Sequence, residues 1–319
     1  MCKVSVVIPC YNSEQYIQKC FQSLSEQTFK DFNILLVDDC STDNSVAIAR
    51  KFADEYNLLL EIIQNEKNIG PSLSRKNGIV ASKSEYIAFC DSDDWVEPDF
   101  LSTLIKESDE GKNDIVFCNF QTVYSNGNIV KHEVVSRITG NDKKAMVAMS
   151  FDSMCCMLIR RQLFLDIDFP NIRNGEDMAI IPVLVSRADT YGYTQSYIYN
   201  YNYHSGSLSK TFTNEMVASL KNSFAYIQKH LGSEYPNEVE FLGIRNLLYG
   251  GILNLFKGSF DTRLAKTIID DFEKEYSNWE NNKYYSSLPS YKKIYLFCVK
   301  KKIFIFCRFL SIIHKIISK

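Results

Sequence analysis

Three carboxylates lie within four residues at the end of an apolar segment of this 319-residue chain. Asp91, Asp93 and Asp94 directly follow residues 86–90, which read Tyr-Ile-Ala-Phe-Cys. That run predicts a buried strand, and ionised carboxylates at its tip repel one another unless water or a cation lies between them. Oxygen ligands on a short tether suit a hard divalent ion such as Mg²⁺ or Mn²⁺. The sequence therefore predicts a metal site, with a solvated acidic turn as the alternative.

Two more polar clusters follow strand-like segments nearer the amino terminus. Residues 4–8 and 33–37 are apolar, and they precede Tyr-Asn at positions 11–12 and Asp-Asp at positions 38–39. Helical spacing separates these segments, and this alternation predicts an α/β fold with a mostly parallel sheet flanked by helices. Ligands of such sheets bind beyond the carboxyl ends of the strands. We therefore expect the three polar clusters to meet in one cleft.

The charge of the chain is distributed unevenly. Hydrophobic residues make up 45% and charged residues 23%, which is typical of a soluble globular protein. Residues 281–319 carry nine Lys and Arg and no Asp or Glu, whereas the rest carries 27 basic and 38 acidic side chains. An acidic body with a basic tail argues against a nucleic-acid binder and indicates that the tail alone meets a charged surface.

The tail itself is apolar but interrupted by charge. Lys and Arg residues break the apolar run at residues 294–317, so a membrane-spanning helix is not expected. On a helical wheel one stripe carries Lys301, Arg308, Ser311, Lys315 and Lys319. This stripe predicts a helix lying in the plane of an anionic membrane surface. The alternative is a terminal helix that packs on the domain core or on a partner subunit.

The ten cysteines indicate a reducing compartment. No Cys-x-x-Cys spacing is present, and several cysteines lie inside apolar runs, where a free thiol behaves as a small hydrophobe. The amino terminus has no basic region followed by a long apolar stretch. We expect a cytoplasmic protein that is peripheral on the inner face of the cell membrane.

Five stretches together resemble the family-2 glycosyltransferases of cell-surface polysaccharide synthesis, which have the GT-A fold. They are VSVVIPCYN from residue 4, VDDCSTD from residue 37, GPSLSRKNGI from residue 70, EYIAFCDSDDWVEPD from residue 85 and, more weakly, NGEDMAI from residue 174. The resemblance covers about residues 3–210. It implies a nucleotide-sugar-binding catalytic domain at residues 1–213, followed by a mainly helical region at residues 214–319.

The resemblance also assigns roles to individual residues. Asp177 matches the base that takes the proton from the acceptor hydroxyl, and Asp91 and Asp93 match the metal ligands. Residues assigned to the nucleotide sugar are Pro9, Tyr11, Asp39, Arg75, Asp91 and Ser92. Within that set, Tyr11 is expected to pack on the base, Asp39 to accept a hydrogen bond from it, and Arg75 to face the diphosphate.

Two positions depart from the family pattern. His204 lies where relatives often carry Arg or His near the diphosphate or metal, and a surface or hydrogen-bonded histidine is favoured over a ligand there. Residues 154–157 read Met-Cys-Cys-Met where relatives frequently have Trp, which leaves the acceptor open.

The resemblance implies a metal-dependent inverting glycosyltransferase using Mn²⁺ or Mg²⁺. Its donor would be a nucleotide diphosphate sugar, UDP being favoured, and its acceptor a hydroxyl of a glycan or lipid-linked glycan. The alternatives are a nucleotidyltransferase on a similar sheet and a non-catalytic nucleotide-sugar-binding partner at the membrane.

Overall fold

The computed structural model describes residues 2–134, 142–172, 175–204 and 213–317. The chain divides into two compact units, residues 1–146 with 150–205 and residues 147–149 with 206–319. The predicted boundary near residue 213 adjoins a segment outside the described residues, and position 174 of the fifth motif lies within another such segment. The assignment of nucleotide-sugar binding and catalysis to residues 1–213, separate from the helical region that follows, stays a prediction.

The chain up to residue 203 alternates strands and helices, as expected. The strands are β1 (Val4–Cys10), β2 (Phe32–Asp38), β3 (Leu60–Gln64), β4 (Tyr86–Phe89), β5 (Trp95–Val96), β6 (Ile115–Tyr124), β7 (Ile129–His132), β8 (Met157–Arg160) and β9 (Tyr191–Tyr203). The helices are α1 (Ile17–Ser25), α2 (Ser45–Glu55), α3 (Pro71–Ala81), α4 (Phe100–Gly111), α5 (Lys143–Ala148) and α6 (Glu176–Arg187).

Within the described residues these nine strands form one mixed sheet in the order β3-β2-β1-β4-β8-β6-β9-β5, with β7 paired to β6. β1 to β4 are mutually parallel, as are β6 and β9, whereas β8, β7 and β5 pair antiparallel with their neighbours. The predicted α/β class with helices around the sheet is therefore confirmed. The parallel half carries the three polar clusters at one edge, because the carboxyl ends of parallel strands point the same way.

β1 extends beyond the proline expected to end it. Pro9 pairs in register with Val37 of β2, and the strand continues to Cys10. The ladder between β1 and β4 stops at Val7 and Phe89. Pro9 therefore has a strand neighbour on one side alone, where its missing N–H is tolerated.

Helix α3 lies very close to the sheet at Gly78. A Cβ added there would meet a methyl carbon of Val7 at 2.4 Å and one of Val37 at 3.1 Å. We predict that Gly78→Ala lowers the free energy of unfolding by about 1–3 kcal/mol, because the close-packed strands must shift to admit the methyl group. Urea unfolding checks this, with Val80→Ala, at an exposed position of the same helix, as the control. A stability equal to that of the parent chain would contradict the close approach.

The second unit is helical. It contains α7 (Asn214–Leu231), α8 (Pro236–Gly243), a π-helical segment (Ile244–Gly251), α9 (Ile252–Gly258), α10 (Thr262–Glu275), α11 (Ser290–Lys300) and α12 (Phe304–Ile317). Large buried side chains such as Trp279, Tyr295 and Phe256 form its core. No helix among the described residues is long and apolar enough to span a bilayer.

The predicted tail helix is broken in two, and Arg308, Ser311 and Lys315 of its basic stripe face inward, whereas Lys301 is exposed. The chain turns at Lys302, whose φ of 55° is left-handed, and α12 then packs on α9 and α11. Arg308 donates to the carbonyl of Phe256, and Lys315 donates to that of Lys257 at 3.0 Å. These carbonyls end α9, where a helix lacks internal donors and attracts cations. The basic side chains therefore cap α9, and the opposite face of α12 is exposed.

Candidate active site

The acidic motif forms a tight cluster after β4. One carboxylate oxygen from each of Asp91, Asp93 and Asp94 lies within 4.8 Å of the others. Burial and the neighbouring Asp91 raise the pKa of Asp93. A divalent cation relieves the repulsion among carboxylates at such short range, and the donors are all oxygen, so this cluster fits the expected ion.

Asp94 anchors the cluster to the end of β9. Its buried carboxylate accepts hydrogen bonds from the Tyr199 hydroxyl at 2.5 Å and from the backbone N–H of Asn202 at 2.7 Å. The Tyr199 oxygen also accepts from the backbone N–H of Asp91 at 3.2 Å. Burial, with the charges of Asp93 and Asp91, holds the pKa of Asp94 well above its usual range. Asp94 therefore positions the motif, and Asp91 and Asp93 remain for a ligand.

Asp93 meets a histidine from the other side of the motif. His204, which follows β9, has its Nε2 atom 2.8 Å from Asp93 Oδ2. The imidazole stacks on the Tyr16 ring, with centroids 4.5 Å apart. The favoured interpretation of a hydrogen-bonded histidine fits this geometry.

Arg75 lies at the centre of the acidic residues, and its expected role toward a diphosphate stays a prediction. Its side chain is buried, with Nη2 at 2.6 Å from Asp91 and Nη1 at 2.5 Å from Glu176. Burial acts to lower the pKa of Arg75, but Asp91, Asp177 and Glu176 raise it well above its usual range. The guanidinium thus joins the end of β4 to the start of α6, because two fixed N–H groups can bind two carboxylates at once.

Asp177 is held by one oxygen and leaves the other without a partner. Its Oδ2 atom accepts from the backbone N–H of Met154 at 3.2 Å. Within the described parts of the chain, Oδ1 is buried and has no hydrogen-bond partner. Burial raises the pKa of Asp177 to about 7, with Glu176 and Asp91 adding to the effect and Arg75 opposing it. A carboxylate with this pKa and a vacant oxygen can take a proton near neutral pH.

Asp39 joins the end of β2 to the start of α3. Its Oδ1 atom accepts from Asn65 Nδ2 and from the Ile69 N–H, and Oδ2 accepts from the Gly70 N–H, each at 2.8 Å. Three of about four acceptor positions of the carboxylate are therefore used within the chain. One position is left for the N–H of a base. Asp38, expected to be structural, accepts from the backbone N–H of Ser41.

The remaining predicted residues lie around the end of β1. Tyr11 is 51% exposed, so its ring is available to a ligand. Ser92 is buried, and its hydroxyl lies 2.6 Å from that of Ser13 in the loop after β1. Pro9 lies in β1 itself, two residues before Tyr11. The ends of β1 and β4 are thus tied together, as the cleft requires, and the ligand roles of these residues stay predictions.

Sequence reasoning did not find Tyr199, Asn202 and the backbone of Met154, although each contacts a predicted residue. Backbone donors leave no trace in residue types, so Asn202 and Met154 could not be recognised. Tyr199 had a signal, since Tyr recurs at every second position from 197 to 203 and ends beside His204. Glu176, interpreted as complementing the helix dipole, instead forms the ion pair with Arg75.

The family model described as Glycosyl transferase family 2 matches residues 5–168. The chain belongs to this family. Two relatives of this family 2 chain are glycosyltransferases of Streptococcus pneumoniae serotype 4. GlyG is 30% identical over 226 residues, which are 65% of this chain and 73% of GlyG. GlyA is 27% identical over 266 residues, which are 79% of this chain but 38% of GlyA.

The fold agrees with this assignment. The crystal structure of S. aureus TarS 1-349 in complex with UDP-GlcNAc superposes with a TM-score of 0.66, over 98% of this chain and 91% of that one. The two sequences are 21% identical, so the likeness concerns the fold. The predicted family and GT-A fold are confirmed, and the chain is a family 2 glycosyltransferase.

Proposed function

We propose that this chain is an inverting, metal-dependent glycosyltransferase that moves a sugar from a UDP-sugar to a hydroxyl of a glycan or lipid-linked glycan. The observation that carries the proposal is the vacant, buried Oδ1 atom of Asp177 beside the acidic cluster. A buried acceptor without a donor is costly, and a substrate hydroxyl supplies the missing donor.

The residues of the site divide into a donor side and an acceptor side. Tyr11 offers an exposed ring to the base, and Asp39 offers the remaining position of its carboxylate. The structurally similar S. aureus TarS was solved in complex with UDP-GlcNAc, which supports UDP as the nucleotide. Asp91 and Asp93 would hold Mn²⁺ or Mg²⁺, which when bound stabilises negative charge on the diphosphate leaving group.

On the acceptor side, Asp177 Oδ1 takes the proton of the attacking hydroxyl. The hydroxyl oxygen forms a bond to the anomeric carbon as the bond from that carbon to the diphosphate oxygen breaks, and nucleoside diphosphate leaves. Attack opposite the leaving group inverts the anomeric configuration. Two contacts hold the base in place. Arg75 fixes the neighbouring Glu176, and the Met154 N–H binds the Oδ2 atom of Asp177.

The pKa of Asp177 predicts a pH dependence for transfer. Because the base works in its ionised form, the transfer rate should rise with pH and reach half of its maximum near the pKa of about 7. Single-turnover transfer between pH 5.5 and 8.5 measures this, with UDP affinity over the same range as the control. A rate that does not change across this range would remove Asp177 as the base.

The function is tested by offering a panel of nucleotide sugars and measuring the products released. Release of nucleoside diphosphate that depends on Mn²⁺ or Mg²⁺ supports the proposal. Release of pyrophosphate would identify a nucleotidyltransferase instead. Binding of donor without any release would indicate a non-catalytic partner protein.

We also propose that the protein is peripheral on the inner face of the cell membrane, through the exposed face of α12. This face carries Ile305, Phe309, Ile312 and Ile316, spaced so that all four project to one side of the helix. Ile305 is 80% and Ile316 68% exposed. The surrounding residues 281–319 hold no acidic side chain, which favours an anionic lipid surface.

Replacing Ile305, Phe309 and Ile316 together with Ser should lower binding to phosphatidylserine vesicles about tenfold or more, because three apolar side chains no longer leave water. Vesicle co-sedimentation measures the change. The matched control is Leu59→Ser, which alters an exposed apolar residue of the other unit. Equal sedimentation of parent and triple variant would show that α12 is not the anchor.

A further inference from the structure

One face of the β7-β6-β9 part of the sheet is lined with rings. In the register of β6 with β9, Phe120 is paired with Tyr199, Thr122 with Tyr201 and Tyr124 with Tyr203. Paired residues of neighbouring strands project to the same side, and so do alternate residues of one strand. The aromatic face, as we name it, consists of Phe120, Thr122, Tyr124, His132, Tyr201 and Tyr203.

Ring contacts show that these side chains do share a side. The rings of Tyr124 and Tyr203 have centroids 4.6 Å apart, and those of Phe120 and His132 stack at 4.4 Å. His132 Nε2 also lies 2.9 Å from the Thr122 hydroxyl. Tyr124, Tyr201 and Tyr203 are half-buried, so part of each ring reaches the surface.

The aromatic face adjoins the reaction centre along the end of β9. The Tyr199 hydroxyl holds Asp94 and the backbone of Asp91. Farther along the strand the Asn202 N–H binds Asp94, and His204, directly after Tyr203, lies 2.8 Å from Asp93. The segment before β8 links the two regions, because Phe151 packs on Phe120 at 5.6 Å and Met154 donates to Asp177.

The opposite face of the same strands carries the charge and the amides. Lys131, the one Lys or Arg of these three strands, lies over the Tyr197 ring at 4.9 Å. A register shift in β9 between Tyr197 and Tyr199 interrupts the alternation and turns Tyr197 to this opposite face. Gln121 donates to Asn200, and Asn200 donates to Glu97. Within the described strands, the aromatic face therefore offers ring faces and hydroxyls, and none of its residues is a Lys or Arg that would bind a phosphate.

We propose that the aromatic face binds the acceptor, and that the acceptor is a glycan of neutral pyranose rings rather than a polyol-phosphate chain. The inference rests on the proposed function and deepens it. The electron-rich face of an aromatic ring attracts the polarised C–H groups on one side of a pyranose, and the tyrosine hydroxyls can bond its hydroxyls. A polyanion would instead need Lys or Arg along its path.

The inference is tested by saturation-transfer NMR of the full chain with UDP and the diamagnetic Mg²⁺. The probes are the methyl pyranosides of glucose, galactose, mannose and N-acetylglucosamine, and ribitol 5-phosphate. We expect saturation of ring C–H protons of at least one pyranoside, and a Kd for it about tenfold higher in Tyr201→Ala/Tyr203→Ala. The matched control is Tyr197→Ala, on the same strand but the opposite face, which should bind as the parent does.

UDP affinity of each variant reports whether the chain has folded. If the alanine variant has not folded, Tyr201→Phe/Tyr203→Phe is measured in its place, because it keeps the rings. Saturation of ribitol 5-phosphate with none of the pyranosides would overturn the inference. So would no binding by any pyranoside, or an equal loss in Tyr197→Ala. Failure of the proposed function is separate, because it would appear as donor that is not turned over even with water as acceptor.

Discussion

Asp177→Asn should lower the rate of sugar transfer by about 10²- to 10⁴-fold, the usual contribution of a positioned general base. An amide oxygen can still accept from the Met154 N–H, so the local structure is kept while the basic oxygen is lost. Donor affinity should change little, since Asp177 acts on the acceptor hydroxyl. Quenched-flow transfer and UDP-sugar binding by calorimetry separate the two effects.

The control for this variant is Asp168→Asn, which removes an exposed carboxylate of the same unit.

Asp177→Asn should also raise the free energy of unfolding more at pH 8 than at pH 5. The folded state holds a proton on Asp177 up to a pKa of about 7, whereas the unfolded chain loses it near 4, so the parent loses stability as pH rises between these values. If Asp177→Asn transferred sugar at the rate of the parent chain, Asp177 would not be the base.

Arg75→Met should lower the free energy of unfolding by about 3–5 kcal/mol, the usual cost of removing one partner of a buried ion pair. The variant leaves Asp91, Glu176 and Asp177 close together without their cation. Urea unfolding followed by circular dichroism measures the loss. The exposed Arg50→Met on α2 is the control, expected to change stability by less than about 0.5 kcal/mol.

The loss in Arg75→Met should grow with pH. Burial already raises the pKa of Glu176 and Asp177, and Arg75 opposes this rise. Without Arg75 both carboxyls keep their protons to higher pH in the folded state, while the unfolded chain releases them near pH 4 to 5 as before. The free energy of unfolding must then fall as pH rises. A loss that is the same at pH 5 and pH 8 would show that packing, rather than charge, makes Arg75 necessary.

Strands β1, β2 and β4 of the parallel half could be predicted because they are buried on both sides and appear as short apolar runs between helical segments. The antiparallel half could not. β8 is four residues long, and β5 is two residues long. Such short segments show no hydrophobic periodicity that could be recognised. Their position in the sheet is decided by strands far away in the chain, such as β4 and β6 for β8.

The candidate site follows the same division. Carboxylates at strand ends could be recognised as acidic groups from their type alone, but what each one contacts depends on distant partners. From its residue type and its place on a helix, Arg75 would be expected at the surface. It is instead buried against Glu176, which lies 101 residues away in the chain. Asp94 looks equivalent to Asp91 and Asp93 in sequence, and Tyr199, 105 residues away, makes it different.

Gly78 shows how a residue without a side chain can govern chemistry elsewhere. It lies three positions after Arg75 in α3, so both residues are on the side of the helix that meets the strands. Because a methyl group there would overlap Val7, a side chain at this position would move α3 away from the strands and displace the guanidinium from Asp91 and Glu176. A random-mutagenesis screen for lost sugar transfer should therefore recover substitutions at this glycine, although the residue could neither bind a substrate nor carry a proton.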